Sequence, residues 1–162
     1  MPTFTIKDVE QHYEELVDYD EINDVTPAHD KRFIDGLKMS TIKPNAKVLN
    51  VLCRSGKAEL HYLKQFPHLK FESMDVSERL LKEAKQRCNS KNINFHKFTS
   101  HTLPFKNSTF DNIISYETLE HIPEPGKLIS EFGRVIKPKG ELILSTPNTS
   151  WDWIHTLVAK LK

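Results

Sequence analysis

At 162 residues, with 38% hydrophobic and 28% charged side chains, the chain has the size and balance of one soluble globular domain with room for a core. Its 23 basic residues against 22 acidic ones leave a net charge of +1, so no overall basic footprint exists to neutralise a run of phosphates, and nucleic acid is excluded as a first partner. The start, Met-Pro-Thr-Phe-Thr-Ile-Lys-Asp, carries no apolar signal core and no stretch reaches the length of a membrane span, so the expectation is a cytoplasmic protein without stable membrane insertion.

Ile6, Val9, Tyr13, Leu16 and Val17 recur at helical spacing behind Thr5. Thr26-Pro27 then reads as an N-cap with proline at the first helical position, ahead of Phe33, Ile34 and Leu37. Two helices therefore precede the first strand, Lys47 to Leu52, which follows the turn Lys43-Pro44-Asn45. A helix from Lys57 to Phe66 ends before Pro67, and a second strand, Leu69 to Met74, ends at Asp75. Ser77 caps a helix through about Cys88, with Leu80, Leu81 and Ala84 inward and Lys82, Lys85 and Arg87 in water. Further strands are expected at Ile93 to Phe98, Phe110 to Tyr116 and Gly140 to Thr146, with a helix from Gly126 to Ile136 between the last two. Strands alternating with helices predict an α/β fold, a Rossmann-like, mostly parallel sheet covered by helices on both faces through right-handed crossovers.

The run Lys47 to Leu60 puts an apolar strand against a tight turn and a helix start, the unit whose backbone N–H groups face a ligand at the carboxyl edge of such a sheet. Glycines normally make that turn, yet Leu52 and Arg54 stand where two are expected and only Gly56 remains. Asp75 lies about twenty residues beyond the turn, where a carboxylate takes both hydroxyls of a ribose, and this points to an adenosine ligand. The same aspartate also suits the N-terminus of the following helix, worth roughly 0.3–1 kcal/mol, and the two roles are compatible. Cys53 and Cys88 make neither a metal pair nor a disulfide framework and read as small buried or half-buried thiols. Of the eight histidines, His96 and His101 flank the third strand and His61 and His68 flank Pro67. Neither pair has ligand spacing, so no metal is expected.

Further segments carry a resemblance. Leu103-Pro104-Phe105, Phe110-Asp111-Asn112-Ile113-Ile114-Ser115, Leu119-Glu120-His121-Ile122, Arg134-Val135-Ile136-Lys137-Pro138-Lys139-Gly140 and Ser145-Thr146-Pro147-Asn148 together resemble the class I S-adenosylmethionine-dependent methyltransferases. The likeness is greatest to the branch acting on small molecules such as quinone and lipid precursors or sugars, and it runs from about Lys47 to Asn148. It implies a seven-stranded sheet, S-adenosylmethionine as methyl donor and S-adenosylhomocysteine as product, with a small-molecule acceptor. Carried across by residue, the resemblance puts the cofactor turn at Asn50 to Gly56, including Cys53 and Ser55, and the ribose acid at Asp75. Val76 and Leu80 would pack on the adenine, Thr99 and Ser100 would meet its amino group, and Ser115, Tyr116 and Glu117 would line the methionine end.

Departures accompany these matches. Asn50 replaces a carboxylate common at the end of the first strand, and Lys139 replaces the first glycine of a Pro-Gly-Gly turn. If Arg54 adopts the left-handed backbone that glycine allows, the strain is of order 1–3 kcal/mol, expected to weaken cofactor binding. A sulfonium is a strong leaving group, so alignment supplies much of the acceleration and a base is needed only for acceptors of high pKa. Glu117 and His121, four apart, are weak catalytic candidates that could share one helical face over the site; the alternative, favoured for His121, is that His121 holds a loop by hydrogen bonds while Glu117 contacts the cofactor or water.

We expect a single domain over residues 1–162, with N-terminal helices in 1–42, a cofactor-binding core in 47–148 and an amphipathic helix in 150–161. Trp151, Trp153, Ile154, Leu157, Val158 and Leu161 form the apolar stripe of that last segment. With so little chain after Thr146, the last two strands of the family's sheet and its acceptor side are expected to be missing. Either the chain is a fragment, or the last helix covers the strand edge, or a second copy does so as a homodimer. Two functions stay open: a small-molecule methyltransferase, and a non-catalytic relative that kept the fold while losing the glycine turn and acceptor region. A nicotinamide-dependent dehydrogenase is set aside, because its fingerprint demands the glycines this chain lacks.

Overall fold

In the computed structural model of the protein, residues 4–15 and 27–146 are described. Two helices come first, α1 (Ile6–Glu15) and α2 (Pro27–Met39), and the chain then alternates. Strand β1 (Lys47–Val51) leads to α3 (Lys57–Gln65), and β2 (Lys70–Asp75) leads to α4 (Glu78–Cys88). Next come β3 (Ile93–Lys97), β4 (Phe110–Tyr116), a 3-10 turn (Leu119–His121), α5 (Pro125–Val135) and β5 (Ile136–Ser145). The proposed N-cap at Thr26, the end of the first helix at Leu16 and Val17, and the apolar segment 150–161 lie outside the described residues.

All five strands are parallel, in the order β3-β2-β1-β4-β5. The order reverses at β1, which pairs with β2 on one side and β4 on the other, so the carboxyl edge between β1 and β4 is the switch point of the sheet, where ligands bind in folds of this kind. Apolar runs fit strands covered on both faces: Val48, Leu49, Ile113 and Ile114 have no exposed surface. Leu49, Ile113 and Phe132 belong to the cluster that includes α5, whereas Val48, Ile114 and Tyr62 belong to the opposite one with α2 and α3.

Two glycines set helix positions by close approach. A Cβ at Gly56 would stand 2.8 Å from the Cys88 Sγ and 3.1 Å from the Ala84 Cβ, so the start of α3 packs directly on α4. At Gly36 a Cβ would meet the Tyr116 hydroxyl at 2.2 Å, which fixes how near α2 lies to the sheet. That hydroxyl is hydrogen-bonded to the Tyr62 hydroxyl at 2.6 Å.

Element ends fall close to expectation, with the largest difference at β5. It was expected from Gly140, yet it starts at Ile136, opposite Phe110, and resumes with Glu141 opposite Asn112. The residues between leave the ladder: Lys139 has φ 66, and proline at position 138 has no N–H to donate.

Helix α1 covers the carboxyl edge. Val9 and Tyr13 are buried in the same cluster as Leu52, Met74, Val76 and Leu80. Polar contacts hold α1 there: Glu14 Oε1 accepts the Glu78 N–H at 2.7 Å and that of Arg79 at 3.4 Å, at the positive end of α4. Arg79 Nη2 donates to the Tyr13 carbonyl at 2.8 Å, and Lys97 Nζ donates to Glu10 at 2.8 Å. Replacing Glu14→Ala is therefore expected to cost about 1 kcal/mol of stability, as loss of a helix cap does. Amide exchange should quicken in α1 ahead of the sheet, and unchanged exchange there would refute the role of Glu14.

Candidate functional site

The turn after β1 follows the path glycines allow, although two of its residues are not glycine. Leu52 has φ 56, Arg54 φ 50 and Gly56 φ 80. Main-chain contacts impose these angles: Cys53 N–H donates to the Met74 carbonyl at 2.9 Å, and Gly56 N–H to the Cys53 carbonyl at 3.1 Å. The Arg54 N–H donates to Asp75 Oδ2 at 2.7 Å, while Asp75 Oδ1 accepts the Ser77 N–H at 3.0 Å. Protein contacts hold the left-handed angles, so the cost of order 1–3 kcal/mol per residue falls on folding, rather than on ligand binding as the sequence suggested.

Asp75 is 1% exposed, and beside it Val76 and Leu80 have no exposed surface, lying in the α1 cluster. Ser77 Oγ accepts the Leu80 N–H at 3.0 Å, which is the expected cap of α4. The Arg54 guanidinium lies 5.6 Å from the centroid of the Tyr13 ring. Tyr13 in turn meets the His121 ring edge-on at 5.6 Å. A single stack thus joins the turn, α1 and the segment after β4.

The other predicted positions separate. Asn50, Cys53 and Ser55 are buried under the turn. Thr99 and Ser100 are exposed, with Ser100 Oγ accepting the Thr102 N–H at 3.2 Å. Tyr116 points away from the turn, into the α2 and α3 face, where its ring meets Phe33 at 5.1 Å. Ser115 is fully buried.

Glu117 and His121 do not share a helical face. Glu117 has φ 53 and stands before the short 3-10 turn, so the four-residue spacing is not a helical one. Its Oε1 accepts from Ser145 Oγ at 2.8 Å, its N–H donates to the Ser145 carbonyl at 3.1 Å, and Arg32 lies 3.9 Å from Oε2. Burial holds the His121 imidazole below its ordinary pKa, with Arg54 and His12 adding to the shift. Burial raises the Glu120 carboxyl, and neighbouring Glu117 adds to this.

Burial also drives the Cys53 thiol well up and the Cys88 thiol up to about 12, so both stay protonated. Histidines read as scattered have local partners: His61 lies 3.6 Å from Asp30, His96 is bonded to Glu72 at 2.6 Å, and His101 to the Pro123 carbonyl. Five residues contribute here in ways the sequence did not reveal. Val9 and Tyr13 looked like any helix stripe, Arg32 and Ser145 come together only through the sheet, and Glu59 looked like an ordinary acid in a first helical turn.

Residues 49–144 match the family described as Methyltransferase domain. Among curated proteins, the chain is 30% identical over 137 residues to the biotin biosynthesis bifunctional protein BioHC of Teredinibacter turnerae, covering 75% of this chain and 24% of that protein. It is 34% identical over 88 residues to a ubiquinone biosynthesis O-methyltransferase of Coxiella burnetii, covering 52% of this chain and 38% of that one. The chain thus spans well under half of either relative. Among solved structures, the [4+2]-cyclase SpnF superposes with a TM-score of 0.77 at 21% identity, over 88% of this chain and 60% of that one. That likeness is one of fold.

Two outcomes follow from the turn and from His121. Arg54→Gly should exceed Arg54→Ala in stability by about 1 kcal/mol, roughly 2–4 °C in melting temperature for a chain of this size, because only glycine relieves φ 50. Equal melting temperatures would show that the turn is unstrained. The unfolded chain protonates His121 more readily than the folded one, so stability present above its ordinary pKa, about 6.5, is lost as pH falls through the lower folded value. His121→Asn should flatten the fall in stability between neutral and mildly acidic pH in denaturant titrations.

Proposed function

Because the chain belongs to the family described as Methyltransferase domain, we propose that it binds S-adenosylmethionine in the crevice between β1 and β4 and transfers the methyl group to a small-molecule acceptor. One observation carries the reading: the turn over Leu52, Arg54 and Gly56 keeps a glycine-type path and is tied by the Arg54 N–H to the Asp75 carboxylate.

The residues present fit an adenosyl group. Asp75 Oδ2 accepts the Arg54 N–H and Oδ1 the Ser77 N–H, which places its carboxylate at the end of β2 where a ribose would be met. Val76 and Leu80 offer an apolar shelf for a purine, and Thr99 and Ser100 offer hydroxyls in place of a carboxylate. Val9 and Tyr13 of α1 lie against that shelf, so loading the crevice displaces them, and the contacts of α1 belong to the site. Bound S-adenosylmethionine supplies an electrophilic methyl on a sulfonium, and the protein's part is to bind, orient and exclude water. Burial and the nearby Arg54 lower the pKa of His121, which weakens it as a proton acceptor, whereas Glu117 is engaged by Ser145 and orients the segment after β4.

The names of the curated relatives, one in ubiquinone and one in biotin biosynthesis, support small organic acceptors. A second reading, a binding module without methyl transfer, draws on the side chains at positions 52 and 54 and on the cover of α1. Titration calorimetry separates them. S-adenosylmethionine and S-adenosylhomocysteine should both bind, and Asp75→Ala should weaken both at least about tenfold, near 1.4 kcal/mol. An absence of heat with either ligand, in protein that melts cooperatively, would leave only the scaffold.

A further inference from the structure

Glu59 is a buried acid outside the turn and Asp75. It sits in the first turn of α3 with no exposed surface. Its two oxygens are treated unequally: Oε1 accepts from Asn50 Nδ2 at 2.8 Å and from Ser73 Oγ at 2.5 Å, while Oε2 is buried with no hydrogen-bond partner. One oxygen accepting two bonds and one accepting none is the pattern of the carbonyl and hydroxyl of a neutral acid. An ionised carboxylate there would leave a bare charge away from water, the costliest arrangement a buried group can adopt.

We propose that Glu59 stands in for the carboxylate missing at Asn50, holding its proton in the free protein and shedding it when a cationic nucleoside cofactor loads the crevice. The inference rests on reading that crevice as an S-adenosylmethionine site. Asn50 lies in the buried run of β1, one residue before its end at Val51, and its amide joins Glu59 directly to the position where the resemblance expects an acid. Its proton balance is simple: the Oε2–H bond breaks, the electron pair stays on the carboxylate, and the proton passes to the buffer.

The titratable groups facing Glu59 are Asp75 at the end of β2, Cys53 in the turn, Cys88 on α4 and Tyr62 on its own helix. None of these can carry a positive charge. Burial, the largest influence, pushes the Glu59 carboxyl above the usual range, and the Ser73 and Asn50 hydrogen bonds oppose that only in part. A sulfonium entering this low-dielectric region supplies the cation that the protein withholds.

S-adenosylmethionine and S-adenosylhomocysteine differ by one methyl and one positive charge, which makes them a matched pair of probes. Calorimetry at neutral pH in two buffers of different ionisation enthalpy should show S-adenosylmethionine releasing about one proton more than S-adenosylhomocysteine. Glu59→Gln should abolish the excess. The double variant Asn50→Asp with Glu59→Gln, which returns the acid to the strand, should recover the preference for the charged ligand over the neutral one. Infrared difference spectra of the unsubstituted protein need no variant to fold: a protonated carboxyl band should be lost with S-adenosylmethionine and kept with S-adenosylhomocysteine. Equal proton release by the two ligands, or an unchanged carboxyl band, overturns the role of Glu59 while leaving the cofactor site intact. Binding of neither ligand overturns the cofactor site and the proposal together.

Discussion

The hydrogen bond from the Arg54 main chain to Asp75 organises everything at the carboxyl edge of this sheet. It joins the turn after β1 to the end of β2, and the second oxygen of the same carboxylate fixes the entry to α4 through Ser77. One buried side chain thereby sets the path of the turn, the start of a helix and the floor of the crevice. Charge-assisted bonds of this kind are stronger than neutral ones, and burial from water strengthens them further.

That bond also explains how the turn survives with a leucine and an arginine in left-handed backbone. Strain persists where surrounding contacts over-determine a conformation. Here the Cys53 and Arg54 amides are both taken by the end of β2, and the Leu52 side chain is buried against α1. Gly56 is the residue that could not be exchanged, since α4 leaves no room for a Cβ there. A Cβ is therefore tolerated where the obstacle is torsional and refused where it is steric.

Much of the scaffold could be read from the chain because period and punctuation agree. Ser77 ahead of Leu80, Leu81 and Ala84 marks a capped helix, and the fully buried strands announce themselves as runs such as Ile113-Ile114. The strand, the turn after it and the acid at the end of β2 were legible for the same reason. What stayed hidden depends on contacts between distant segments. Nothing local distinguishes Tyr13 from another helix residue, and Glu59 reveals its burial only when Asn50 and Ser73 are seen beside it. Helical spacing misled between Glu117 and His121, where the left-handed residue at 117 breaks the period. At β5 the run began four residues early because β4 offers pairing to Ile136 before the Lys137 to Gly140 segment swings out.

The missing side chain at Gly36 acts at a distance. Because the Tyr116 hydroxyl occupies the room a methyl would need, α2 rests on the sheet at a separation governed by a single hydrogen atom. Arg32 lies one turn earlier on that helix, and its guanidinium reaches the carboxylate of Glu117 only from there. Any larger residue at position 36 would lever the helix outward and withdraw that cation from Glu117, so an absent side chain on one helix sets the charge felt by a segment on the other side of the sheet edge.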